Sequence, residues 1–264
     1  MQRYFAEIIN ERVILEDDDV HHLLNVLRAK IGEKIEVVSG GKLFLAEISK
    51  ASPLEINPIE NLDDNSELKC KVTLYYCLSK GDKNDFVVQK ATELGVSKIV
   101  FVSSKRCVVK YDGKDVDKKI ARFVKIAKEA AEQCHRLIVP EIVGPFNVDQ
   151  LGKVNNEEVS FVAYEEESQH SPSFTISGDE NSVGIFIGPE GGIEEKEVKL
   201  LNEFGFKNIS LGNRILRTET AAVYALSVIA NQLEKWWLWS SKFFLLVAKL
   251  TLMNVALLLQ NWFL

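Results

Sequence analysis

The sequence predicts an α/β protein in two parts, a small β-barrel followed by a mostly parallel sheet covered by helices. Three observations predict it. Apolar strands and amphipathic helices alternate after residue 70, which calls for crossover connections and hence a parallel sheet. Short strands with a single helix fill the first sixty residues, as a small barrel would. Between them lies ENLDDNSELK, about residues 60–69, which is polar, carries four acids and has no apolar period, and it marks the boundary.

In the first part, RYFAEII, KIEVVS, LFLAEIS and LEINPI are short and rich in β-branched or aromatic residues. DDDVHHLLNVLRAKIG predicts a helix with acids at its start, Val20, Leu23, Leu24 and Leu27 on one face, and Gly32 at its close. His21 and His22 have no carboxylate or cysteine pattern beside them and read as helix-packing or surface residues. Arg3, Arg12 and Arg28 could contact phosphate, although isolated arginines are usually just solvated.

The second part runs through the strand VTLYYCLS, the helix DFVVQKATELG, the strand KIVFVSS, and a long helix over about 117–136. VSFVAYE, VGIFIG, the helix EEKEVKLLNEFG, the short strand NISLG and a helix over about 220–235 complete it. On the long helix Val124, Ala127, Ala131 and Cys134 share one side, and a row of alternating charges reads as a solvated face. Arg136 at its end complements the helix dipole and is also placed to reach a phosphate. KGDKND, residues 80–85, reads equally as a polyanion contact through Lys80 and Lys83 or simply as a good turn.

Composition is that of an ordinary globular chain: 264 residues, 46% hydrophobic, with a net charge of −6 that argues weakly against nucleic acid unless a basic patch is local. Four scattered cysteines without a C-x-x-C pair, and no apolar leader in MQRYFAEIINERV, predict a reduced, cytoplasmic protein without structural metal. The stretch 236–264 is overwhelmingly apolar, with only Lys242 and Lys249 charged. Lys249 near its middle would be costly in a bilayer, so a helix buried in an oligomer or an altered reading frame is expected over a membrane anchor.

Residues 183–222 hold the chemistry. GPEGG, 188–192, lacks the lysine and hydroxyl of a phosphate loop, and no G-x-G-x-x-G follows the first α/β strand. It offers a proline turn, adjacent glycines that let a ligand approach the backbone, and the Glu190 carboxylate. LGNRILRTETAA places Arg214, Arg217 and Glu219 with two threonines at a second strand-to-helix turn, a cluster costly to bury unless paired or bound to a ligand. Glu219 and an arginine could form that pair. Two such turns at neighbouring strand ends predict a ligand cleft.

IGPEGG followed by E-x-x-E, LGNRILRTETA, KGDK, KATELG, EAAEQCHR before VPE, and HHLLNVLR before a glycine together resemble the ribosomal RNA small-subunit methyltransferase E family. These are SPOUT-class uridine-N3 methyltransferases that use S-adenosylmethionine. The resemblance runs from Met1 to about Lys235 and leaves the apolar tail unaccounted for. It implies a PUA-like RNA-binding barrel over 1–68 and a SPOUT parallel-sheet domain with a C-terminal trefoil knot over 69–235, acting as a homodimer on small-subunit (16S) ribosomal RNA or the small ribosomal subunit. Three loops would hold the cofactor: Tyr164 and Glu165; Ile187, Gly188, Gly191 and Gly192; Leu211, Gly212, Ile215, Leu216 and Arg217. Arg217, with Arg136, would stabilise the charge left on uracil as its N3 proton departs, and Glu190 would position or accept that proton. Arg3, Arg28, Lys80, Lys83, Arg106, Arg136 and Arg214 would contact RNA. A catalytically inactive RNA-binding assembly module and a variant attached to a membrane through its tail are the alternatives.

Overall fold

The computed structural model describes residues 1–64, 66–109, 111, 113–164, 175–177 and 179–234. The apolar stretch 236–264 and Glu165 therefore lie outside the described residues.

Residues 3–62 build the first unit. β1 (Arg3–Phe5) runs parallel to β4 (Lys34–Ser39), which pairs in antiparallel fashion with β5 (Lys42–Ala51), and β5 with β6 (Leu54–Leu62). A small hairpin joins β2 (Glu7–Ile9) to β3 (Arg12–Ile14) through Asn10 and Glu11, both at positive φ. Gly40 and Gly41, at φ of 56° and 74°, form the two-residue turn that sets Ser39 opposite Lys42. Inward residues of the strands, Tyr4, Val13, Ile35, Val37, Ala46, Ile48 and Ile56, meet Leu23 in one core.

The helix expected over 17–31 is shorter and differently phased. α1 (Asp17–His21) passes into a π-helix, His22–Val26, in which Leu27 N–H donates to the His22 carbonyl at 2.9 Å. The wider turn rotates the following face away from the core, so Leu23 is buried whereas Val26 and Leu27 are exposed. His22 is a packing residue as expected, its Nδ1 2.9 Å from the Tyr4 hydroxyl.

The second unit is a six-stranded, fully parallel sheet in the order β12, β10, β11, β7, β8, β9. Its members are β7 (Lys71–Cys77), β8 (Lys98–Ser103), β9 (Glu141–Asn147), β10 (Val159–Ala163), β11 (Ser182–Ile187) and β12 (Phe206–Ile209). Alternation decides the layers. Val72, Leu74 and Tyr76 of β7 pack with α2 (Lys83–Glu93), α3 (Lys114–Gln133) and α5 (Thr218–Leu233), while Tyr75 and Cys77 face α4 (Glu195–Glu203) and the 3-10 helix Val148–Lys153. Strand β9 was not expected. It contains Gly144 and Pro145, which weaken any strand reading but are tolerated at a sheet edge, where β9 lies. Among the described residues no helix is long and apolar enough to cross a membrane, and no group of His, Cys, Asp and Glu could hold a metal ion.

The two units meet across α3 through ion pairs. Lys128 Nζ lies 2.6 Å from Asp19 and 2.7 Å from Glu16, Lys125 pairs with Asp18, and Phe5 N–H donates to Glu132. Arg3 is 3% exposed; it binds Glu36 at 2.8 Å and Asp64 at 3.0 Å and donates to the His135 carbonyl at 2.6 Å. That corrects the expectation of an RNA contact at Arg3, whose guanidinium is spent on closing the junction.

Burial, then the charge of Asp19, raises the Glu132 carboxyl from 4.5 to about 7, against the pull of Phe5 N–H and Lys128. A carboxyl raised on folding binds an extra proton in the folded state between those two values, so stability falls as pH rises through that window. Glu132→Gln should match the wild type near the low end and exceed it by about 1–3 kcal/mol at about pH 8, in urea unfolding at both pH values. Lys128 keeps Asp19 as its partner in this variant. Equal or lower stability of the variant at the higher pH would count against that account.

Candidate functional site

The carboxyl ends of β10, β11 and β12 open on one cavity of about 600 Å³. Ala163 ends β10 and Tyr164 follows it, the turn 188–193 follows β11, and 210–217 connects β12 to the first turn of α5. Such a size and position suit a small-molecule ligand. Its wall mixes apolar side chains, Ile187, Leu211, Leu216 and Ala221, with turn backbone. Gly192 and Gly212 hold φ of 72° and 107°, which L side chains rarely adopt, and a Cβ on Gly188 would stand 2.6 Å from Ile193. Thr218 is buried at the start of α5 and donates from Oγ1 to the Gly188 carbonyl at 2.8 Å, tying the second and third loops together.

Of the residues expected to hold a cofactor, Tyr164, Ile187, Gly188, Leu211, Gly212, Ile215, Leu216, Arg217 and Gly192 all line this cavity, as do Glu190 and Arg214. Gly191 does not. It turns outward against Arg106, whose Nη1 donates to its carbonyl at 3.1 Å, so Arg106 braces this turn through its exposed side chain.

Charge is arranged in two groups. Lys83 Nζ reaches Glu190 at 3.0 Å and Glu219 at 3.2 Å, bridging the turn after β11 and the first turn of α5. Glu219 Oε2 is buried and, although within ion-pair distance of Lys83, receives no well-aligned hydrogen bond. Burial pushes the Glu190 carboxyl up, but hydrogen bonds from Lys83 and backbone N–H groups, that of Lys80 included, bring it below the usual carboxylate range. Lys83, expected among the RNA contacts, is thus the clip between two loops, and Glu190 is an oriented anion rather than a ready base. Lys80 is exposed beside it.

The second group is Arg214 and Arg217, both exposed at the cavity. Among the described residues neither makes an ion pair, and Glu219 pairs with Lys83 rather than with an arginine. Arg28 is exposed at the end of the π-helix, with φ of 55°.

Arg136 stands elsewhere. It is 3% exposed, its Nη2 is 2.6 Å from Glu67, and its Nη1 donates to the Thr92 and Val96 carbonyls at 3.0 and 2.7 Å. Val96 precedes β8, so Arg136 lies at the amino edge of the parallel sheet, about 20 Å from the cavity edge by strand length. The expectation of a catalytic or RNA-binding Arg136 is corrected accordingly. Its burial among carbonyls and a carboxylate makes it part of the scaffold. Lys83 as a clip, Thr218 and Ser210 were missed as site residues; the threonine's place in RTETAA, directly after Arg217, was the available signal.

A family model described as an RNA methyltransferase domain matches residues 66–230, and one described as an RNA methyltransferase PUA domain matches 15–57. The ribosomal RNA small subunit methyltransferase E of Bacillus subtilis is 38% identical over 251 residues, covering 89% of this chain and 98% of its own. The protein of that name from Mesomycoplasma hyopneumoniae is 33% identical, covering 86% and 98%. A crystal structure of a ribosomal RNA small subunit methyltransferase E from Neisseria gonorrhoeae bound to S-adenosyl methionine aligns with a TM-score of 0.78 at 31% identity, covering 87% of this chain and 96% of that one.

Proposed function

The chain belongs to the ribosomal RNA small subunit methyltransferase E family, and from that premise we propose that it methylates N3 of a uridine in small-subunit (16S) ribosomal RNA with S-adenosylmethionine as donor. The observation that carries the reading is the 600 Å³ cavity walled by three backbone loops, with two guanidiniums beside it that make no ion pair among the described residues. The cavity fits the donor's parts: apolar side chains for a purine, glycine backbone for polar edges, and room for a molecule of that class.

When bound, the donor supplies a methyl group already activated on sulfonium. The protein's share is placement and charge. Uracil N3 must lose its proton, and the resulting anion spreads over the flanking carbonyl oxygens. Arg217, without an ion-pair partner among the described residues, is the donor we assign to that charge, with Arg214 on the strand's phosphates. Glu190, fixed by Lys83 and Lys80 N–H, orients the uracil edge, and solvent takes the proton. Residues 1–68 serve as the RNA-binding domain and 69–235 as the methyltransferase domain.

Two further features belong to this reading. β12 is an edge strand, yet α5 packs on β11 and α2, so 210–217 crosses the sheet's carboxyl edge, and we read this crossing as a trefoil knot. Ile215, 89% exposed, and Tyr224 on α5, 45% exposed, are suited to cover by a second copy in a homodimer. Tritiated methyl transfer to small ribosomal subunits lacking the modification, followed by nucleoside mass spectrometry, tests the function. 3-Methyluridine is the expected product; no incorporation, or a methyl group on another atom, would reject it.

A further inference from the structure

A second cavity, about 300 Å³, opens at the same edge of the sheet, beyond β7. The turn 80–85 separates it from the first. Lys83 faces Glu190 on one side of that turn, while Gly81, Asp82, Asn84 and Asp85 line the other.

Its floor is polar and rigid. Ser79 and Asn84 are 1% and 2% exposed. The Asn84 side chain accepts from Ser79 N–H at 3.0 Å and donates to the Ser79 carbonyl at 2.7 Å and to the Tyr111 hydroxyl oxygen at 3.2 Å. One wall is the half-buried Tyr111, with the buried Phe123 behind it, and Asp82 and Asp85 line the side toward α2. Two cations from α3 stand at the rim: Lys119, with Nζ 5.8 Å from the centre of the Tyr111 ring, and Arg122, paired with Asp85. A guanidinium has five donors, so one carboxylate partner leaves Arg122 able to bind a phosphate.

An aromatic wall and a cationic rim match two parts of a nucleotide, base face and phosphate, while the floor, with both Asn84 N–H donors held by Ser79 and Tyr111, closes the cavity beneath them. The cavity's volume, at the lower end of ligand pockets, holds one such unit. We infer that this second cavity binds an unpaired ribonucleotide flanking the methylated one, its base against Tyr111 and its phosphate on Arg122, so that the RNA strand crosses the turn 80–85 between the two cavities. This rests on the RNA methyltransferase reading above. The subsite would set which nucleotide enters the donor cavity, since a strand held at two points has one register.

The test uses full-length protein with Tyr111→Leu, Tyr111→Phe and Arg122→Gln. Binding of a fluorescent single-stranded uridine-rich RNA and the KM for unmodified small subunits are measured beside cofactor affinity and thermal midpoint. Tyr111→Leu and Arg122→Gln should each raise the RNA Kd and KM about tenfold with cofactor affinity unchanged, whereas Tyr111→Phe keeps the ring and stays within about twofold of wild type. Uridine monophosphate alone should compete with the RNA. If Tyr111→Leu and Arg122→Gln, folded and cofactor-competent, match wild type in both measures, the subsite is refuted. Tight binding of uridine monophosphate that leaves bound RNA in place would also refute it, assigning the cavity to a free nucleotide. The RNA Kd stands apart from methyl transfer, so a wild-type protein that transfers nothing would reject the enzyme reading while the variants still decide the subsite.

Discussion

Arg217→Ala is expected to lower the rate of methyl transfer by about 10²–10³-fold, the effect of removing one donor aimed at charge that develops in the transition state. Cofactor affinity should change little, because the loop 210–217 meets the donor through its backbone and its apolar side chains in this reading. Arg217 is well suited to the role: it lines the cavity and, among the described residues, no carboxylate claims it. Arg217→Lys should recover only part of the rate, since an ammonium is a point charge without the planar fork that spans a ring edge. Raising the pH should narrow the deficit of the alanine variant, because more of the uracil then arrives as the anion. Initial rates with tritiated donor at saturating RNA, together with calorimetry of donor binding, decide the matter. Wild-type rates with normal binding would remove Arg217 from the chemistry.

Arg136→Leu is expected to destabilise the fold by about 3–5 kcal/mol, the cost of removing the buried partner from a largely buried ion pair. Glu67 accepts from Arg136 and from the N–H groups of Leu137 and Ile138, and the same guanidinium satisfies the Thr92 and Val96 carbonyls. A single substitution thus removes the counter-charge of Glu67 and a donor from each of two carbonyls at once. The double variant Arg136→Leu/Glu67→Leu should recover a substantial part of the loss. Urea unfolding of the three proteins measures both quantities. A loss under about 1 kcal/mol for the single variant would contradict the scaffold role, and a full loss of transfer in a variant of undiminished stability would return Arg136 to the chemistry.

The contrast between these two arginines shows what the sequence can carry. Strand and helix alternation after residue 70 predicted the parallel sheet, and the glycine-bearing turns at 188–192 and 211–217 predicted a cleft at strand ends; both follow from local rules of period and backbone freedom. Strand β9 escaped because Gly144 and Pro145 are edge-strand signals only once the edge is known. The π-helix at His22–Val26 escaped because one inserted residue leaves the apolar spacing looking helical while rotating the face. Charges were least legible. Glu67 and Asp64 sat in a stretch that looked like a featureless polar linker, yet their arginines lie 69 and 61 residues away. Lys83 was balanced between a turn residue and a polyanion contact, and its carboxylate at Glu190 is 107 residues distant. Ion-pair partners chosen by the tertiary fold leave no periodic trace in the chain.

Arg3 bears on how the molecule is made. Two of its partners, Glu36 and Asp64, belong to the first unit or its edge, but the His135 carbonyl is 132 residues further along. During synthesis the first unit can close its sheets and bury Tyr4 while the face that carries Arg3 still waits for the end of α3. The contact of Arg3 with the end of α3 therefore needs α3 to have been made, however early the first unit folds. A nascent chain halted before α3 would carry an acid-rich seam, Glu16, Asp18 and Asp19, still lacking Lys125 and Lys128.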